Sequence, residues 1–231
     1  MKHLSIILTT LLCALGMMAQ ENRYALKVND FSELRVTGDI NVDYRCSADS
    51  AGMVVFTSTA QVAPRLLFDA NGKKLTIQLS DETVSHRGLP TVTVYSTYLT
   101  KVLNSGDSTV RVLSVAGGPQ FEATQEGNGR LAVRNVEATQ VKASLKTGNG
   151  SVVIAGKCQK ANISLAGTGT IDADGLKARE AKVTAFGTGQ IGVCASEKLS
   201  VFGTGSTTIY YKGKPEVKNR TAGIKLIEML N

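Results

Sequence analysis

Five carboxylates, Asp107, Glu122, Glu126, Asp172 and Asp174, are the side chains of this sequence that could act as acid and base on a polysaccharide. Such cleavage needs paired carboxyl groups, commonly with a cation, gathered in one groove. These five are scattered over several repeat units, so a lyase or glycosidase stands as the alternative reading. Asp172-Ala173-Asp174-Gly175 has the opening of a calcium loop but lacks the later ligands, and an Asp-Gly pair is ordinarily a turn. His86 is the one histidine beyond the leader and there is no Cys-x-x-Cys pair, so neither a metal site nor a cofactor is expected.

A basic set carries a different chemistry. Arg134, Lys157, Lys177, Lys198 and Lys212 each follow a Gly-X-Gly tripeptide by five to nine residues. Stacked repeats would align them along one edge roughly 5 Å apart, within a Debye length of one another. Such a row attracts polyanions, in particular anionic glycans, and the alternative use of the same lysines is a solvated edge that discourages strand pairing. Glu137, Glu180 and Glu197 interrupt its field. Nucleic acid is not an expected partner, because the chain is exported and has little aromatic interleaving.

The elements that would position these residues are set by glycine. Gly-X-Gly occurs at 127–129, 148–150, 167–169, 187–189 and 203–205, with first glycines 21, 19, 20 and 16 residues apart. A fixed period of this size marks a stacked repeat. After each corner the apolar residues alternate, as in Leu131/Val133, Val152/Ile154, Ile171/Ala173 and Ile191/Val193, and a second alternating run precedes four of the corners, as in Val141/Ala143/Leu145. Period two means strands with one buried face. Two short strands in about twenty residues leave no room for a crossover helix. The fold expected is therefore all-β: a right-handed, single-stranded parallel β-helix with about 20-residue coils. The corners are not phosphate loops, since no helix follows them and no Lys-Ser/Thr completes them.

Residues 1–19 read as a secretory signal, with Lys2 ahead of an apolar run and cleavage after Ala19. Its loss takes the formal charge from +7 to +6 and leaves three cysteines, an odd number that argues against a disulfide framework. The rest, 20–231, is expected to be one β-helix domain: irregular coils over 24–105, regular coils over 106–211, and a cap over 212–231. Within the irregular part Gly38, Gly72 and Gly106 are 34 residues apart, and Ala60 to Ala70 and Asp81 to Pro90 read as loops. Cys158 and Cys194 each lie nine residues before a corner glycine and are expected two coils apart, beyond bridging reach, as small core residues.

Phe31-x-x-Leu34-x-Val36-x-Gly38-x-Ile40-x-Val42, the Gly-Thr-Gly coils, and Tyr210-Tyr211-Lys212-Gly213-Lys214-Pro215 with Ala222-Gly223 resemble the family called putative auto-transporter adhesin, head GIN domain. The resemblance spans nearly the whole chain beyond the leader. It implies a right-handed β-helix exported by Bacteroides-like bacteria. No transmembrane segment, helical or barrel, is expected after the leader. The function expected is a non-enzymatic binding or adhesion-type module of the periplasm, outer membrane or cell surface, with anionic glycans or envelope proteins as partners.

Overall fold

The structure, a computed structural model, describes residues 21–80 and 88–229. The expected leader, His86 and most of the expected loop at 81–90 lie outside them. The early strands are β1 (Glu21–Lys27), β2 (Glu33–Thr37), β3 (Val42–Cys46), β4 (Met53–Thr59), β5 (Leu66–Asn71), β6 (Lys74–Leu79), β7 (Val92–Ser96), β8 (Lys101–Ser105) and β9 (Thr109–Val112). The later ones are β10 (Gly118–Glu126), β11 (Arg130–Thr147), β12 (Asn149–Leu165), β13 (Thr168–Ala185), β14 (Thr188–Thr204), β15 (Ser206–Lys212), β16 (Glu216–Ala222) and β17 (Lys225–Glu228). Among the described residues there is no α-helix. Parallel pairing curls these strands into a β-solenoid with coils of about 20 residues.

Each of β11, β12 and β13 bends near its middle, where the pairing register shifts. Its first half joins a ladder that follows the glycine corners, and its second half joins a ladder that precedes them. In the following ladder Val92, Val42, Val110, Leu131, Val152, Ile171, Ile191, Ile209 and Leu226 stand one above the other. In the preceding ladder the matching column is Leu75, Leu34, Val102, Ala123, Ala143, Ile163, Val183 and Val201. All but Leu226 are buried. Aliphatic side chains at every second position suit this pleat, and each Val, Leu or Ile so buried contributes about 1.5–3 kcal/mol.

The early chain departs from the expected succession of coils. β2 pairs with β8, and β3 with β9, at an offset of 68 residues, while β6 and β7 pair on the opposite edges of β2 and β3. The first coil in sequence is thus enclosed between the coil made by 74–96 and the coil made by 101–112. Gly72 is not a corner: it turns the antiparallel hairpin of β5 and β6, and the expected loop at 60–70 holds a 3-10 turn, Ala63–Arg65, and most of β5. Loop-closure entropy grows slowly with length, so such a fold-back costs little more than a short connection.

That excursion also closes the lower end. β5 on β6, β4 on β7 and β1 on β4 are antiparallel, and Tyr24, Phe56 and Phe68 stack across them with centroids 5.1 and 5.7 Å apart. At the upper end the inward positions turn polar, with Asn219 above Val201 and Thr221 above Gly203. Glu216, Lys218 and Arg220 line that edge, which discourages further pairing.

The fifth corner is set two residues later than its spacing suggests. Gly205, not Gly203, lies over Gly187, and Gly203 takes the inward place above Ala185. Thr207 fills the second-glycine position and its hydroxyl donates to the Gly187 carbonyl at 2.9 Å. Cys158 pairs beside Ala178 and is buried, but Cys194 pairs beside Lys177 and is half-exposed, so it is not a core residue. Counting back from Gly203, two residues ahead of the true corner at Gly205, misplaced it, and Ala195 stands beside Ala178 instead.

The two faces of β13 give a direct test. Ile171 is buried in the column and Thr170 beside it is exposed. Ile171→Asp is expected to destabilise by several kcal/mol and Thr170→Asp by less than about 0.5 kcal/mol, read from chemical denaturation. Equal losses would place the strand in the wrong phase.

Candidate functional site

The structure brings together only part of the basic set. Lys157 and Lys177 are direct neighbours, with Glu137 below them and Cys194 and then Lys212 above. Arg134 is exposed on the bend itself, next to Asn135, whose φ of 56° lies in the left-handed region. Lys198 belongs to another file, between Glu180 and Glu216. The single row expected from spacing is therefore split, because register shifts at the bends move these positions sideways.

Lys212 is committed locally. Its Nζ lies 2.6 Å from Asp174 Oδ2, and the Asp174 N–H points to Asp172 Oδ1 at 3.4 Å. The Lys212 bond holds the Asp174 carboxyl below the usual range, while burial and the neighbouring Asp174 push Asp172 up. The stretch that resembles a calcium loop is thus filled by an ammonium group. Among the described residues no cluster of His, Cys, Asp or Glu is large enough to hold a metal ion.

The remaining candidate carboxylates also have partners. Asp107 accepts the Asn128 N–H at 3.0 Å, which lowers its pKa, Glu126 lies 3.1 Å from Lys146, and Glu122 lies 3.7 Å from Lys101. Asp107 sits in a corner, Glu122 and Glu126 on the preceding ladder, Asp172 on the following one, and Asp174 in the bend beyond it. The five candidate carboxylates thus lie at separate places on the solenoid, and among them Asp172 and Asp174 are the two that touch each other.

A further concavity lies elsewhere, on the outer surface of the preceding ladder near its upper end. A cavity of about 570 Å³ is lined by Lys182, Lys198, Lys218, Arg220, Ser200 and Phe202, with Thr184 and Val201. Phe202 is 52% exposed and packs edge-on against Phe186, itself 49% exposed, with centroids 5.7 Å apart. Of the basic set read from sequence only Lys198 is here. Lys182 and Lys218 were legible as the outward residues of Ala181-Lys182-Val183 and Val217-Lys218-Asn219. Phe202 stands on the outward phase of β14 between Val201 and Gly203, where alternation calls for a polar residue.

The solenoid fold matches known relatives. The family described as putative auto-transporter adhesin, head GIN domain, matches residues 30–215. The chain belongs to that family. Crystal structures with the same fold include a putative adhesin from Bacteroides fragilis, 18% identical, with a TM-score of 0.81 over 90% of this chain and 96% of that one. A putative adhesin from Parabacteroides distasonis is 24% identical, with a TM-score of 0.72 over 91% and 97% of the two chains. A putative lipid binding protein from the same organism is 19% identical, with a TM-score of 0.70 over 92% and 98%. Comparison with curated proteins finds no match. The expected family and its β-solenoid are thus those observed.

Lys212 supplies a prediction about the acid side. Asp174 has its folded pKa below the unfolded one, so its contribution is complete above the unfolded value and is lost as pH falls through the folded value. Lys212→Gln is expected to raise the Asp174 pKa toward the ordinary value of about 3.9 and to raise that of Asp172 further. Carboxyl-carbon NMR titration reads both, and an unchanged Asp174 would show that the ion pair does not form.

Proposed function

We propose that the chain is an exported, non-enzymatic binding module of adhesion type, acting in the periplasm, at the outer membrane or on the cell surface. Its partners are anionic glycans or envelope proteins that carry them. The observation that supports this most is the 570 Å³ concavity, whose lining holds four cations, two hydroxyl side chains and an exposed phenyl ring with no carboxylate. Clustered cations over a low-dielectric wall raise the local concentration of a polyanion. The exposed Lys157 and Lys177 pair offers a second, smaller patch of the same sign.

The alternative, a polysaccharide lyase or glycosidase on the same scaffold, draws only on Asp172, whose raised pKa suits a general acid. Asp172 stands outward on the following ladder between Val153 and Gly192, away from the cationic concavity.

Incubating the protein with a panel of uronic and sulfated polysaccharides separates the readings. Retention that weakens as salt rises, without new reducing ends or unsaturated products, is expected. Product formation would favour the enzyme. Preference for lipid vesicles over every glycan would replace the glycan by a lipid as the partner of the Phe186 and Phe202 face.

A further inference from the structure

The outward file through the middle of the preceding ladder has a charge period of its own. From below it reads Lys74, Glu33, Lys101, Glu122, Lys142, Asn162, Lys182, Ser200 and Lys218. In the lower half cations alternate with carboxylates, and Lys101 and Glu122 lie 3.7 Å apart. In the upper half the carboxylates give way to a carboxamide and a hydroxyl. Lysine then recurs at every second rung, roughly 9.6 Å apart at the strand spacing. Among the described residues Lys142 and Lys182 have no ion-pair partner, and Lys218 has one exposed partner, Glu216, at 3.2 Å.

Two adjoining concavities form a furrow along the upper half of this file. A cavity of about 240 Å³ lined by Lys142, Ser144, Asn162, Ser164, Lys182 and Thr184 shares Lys182 with the 570 Å³ concavity above it. On one flank run Ser144, Ser164, Thr184, Phe202 and Arg220, a row of hydroxyls that ends in an aromatic ring and a guanidinium. On the other flank Lys160 and Glu180 neutralise each other at 3.9 Å, and Lys198 faces the furrow.

We propose that this furrow is the track for a linear anionic polysaccharide lying along the solenoid axis and carrying one carboxylate or sulfate per disaccharide. The inference rests on the glycan-binding reading above and adds the site and the charge period of the ligand. A lysine at every second rung meets one anion per disaccharide, because two rungs span a length of the order of one such repeat. Asn162 and Ser200, at the rungs between, offer hydrogen bonds to the neutral sugar. The hydroxyl flank does the same at the edge of the chain, and the exposed Phe202 ring gives a flat apolar surface for the C–H face of a pyranose. A file one residue wide fits a single extended chain. A polymer charged on every sugar would leave alternate anions facing an amide or a hydroxyl.

Calorimetric titration of the full chain tests this with three probes of matched length: a hyaluronan octasaccharide, an oligogalacturonate and a neutral dextran oligosaccharide. The hyaluronan probe is expected to bind more tightly than the oligogalacturonate, and dextran not at all. Lys182→Gln with Lys218→Gln is expected to weaken hyaluronan binding at least tenfold and Phe202→Ala at least threefold. Lys27→Gln with Lys73→Gln, the same change of charge on exposed cations at the lower end, should stay within twofold of the wild type. Equal losses in the two double variants, or tighter binding of the oligogalacturonate, would overturn the track while leaving glycan binding in place. Failure of the wild-type chain to bind either anionic probe would overturn the track and the glycan-binding reading together. Unchanged thermal unfolding of the variants keeps the comparison free of folding effects.

Discussion

Close approach of backbone to backbone at the glycine corners is the constraint on which the rest depends. A Cβ on Gly148 would stand 2.5 Å from the Gly127 carbonyl oxygen, and one on Gly187 or Gly205 would collide with the carbonyl of the glycine beneath it. Without side chains there, the Thr168 N–H reaches the Gly148 oxygen at 3.0 Å and the Ser206 N–H reaches the Gly187 oxygen at 3.1 Å. Gly169 and Gly189 hold φ values of 136° and 148°, which a side chain would disfavour. In the lower corners the residue between the glycines adds a relay. Asp39 accepts the Asp107 N–H at 3.0 Å, Asp107 that of Asn128 at 3.0 Å, and Asn128 that of Asn149 at 2.9 Å. The corner so sets the rung spacing, and both the inner columns and the outer files inherit their register from it.

Much of this was legible because a period-two pattern and a repeated glycine corner act locally. Leu131, Val152, Ile171 and Ile191 could be placed inward from their neighbours alone, and they are buried. What escaped depends on partners distant in sequence. The enclosure of 33–46 between 74–96 and 101–112 is a pairing choice that no local period encodes. The fifth corner misled because Gly203-Thr204-Gly205 repeats the tripeptide two residues early, while Thr207 performs the second glycine's part with a hydroxyl bond. The same offset spoiled the parallel drawn between Cys158 and Cys194, since both were counted from corners.

One buried polar pair also belongs to the long-range class. Asn104 and Gln125 are adjacent rungs of a column that is otherwise mainly aliphatic, and their amides meet at 2.9 Å. Asn104 donates to the Ser108 carbonyl at 3.0 Å, and Gln125 to the carbonyls of Glu126 and Gly106 at 2.9 and 3.2 Å. A buried amide costs free energy unless it is bonded. Here the bonds satisfy carbonyls where the folded-back coils hand over to the regular ones, which ties the irregular lower register to the upper one.

Register also decides which surface charges can act together. Across β11, β12, β13 and β14 the preceding ladder runs without a break from the outer flank file to the corner, so Lys142, Lys182 and Lys218 keep a common azimuth. The bend has no such continuity: coils shift there between Val133 and Val136 and between Ala173 and Lys177, and Arg134, Lys157, Lys177 and Lys212 diverge. A solenoid whose regular coils have short corners builds no deep pocket walls on which shape could discriminate. Its selectivity must come from the spacing of like groups along the axis. The uninterrupted face can hold such a spacing and the bend cannot, which is why the proposed track lies on the face that carries Phe202 and the alternate lysines.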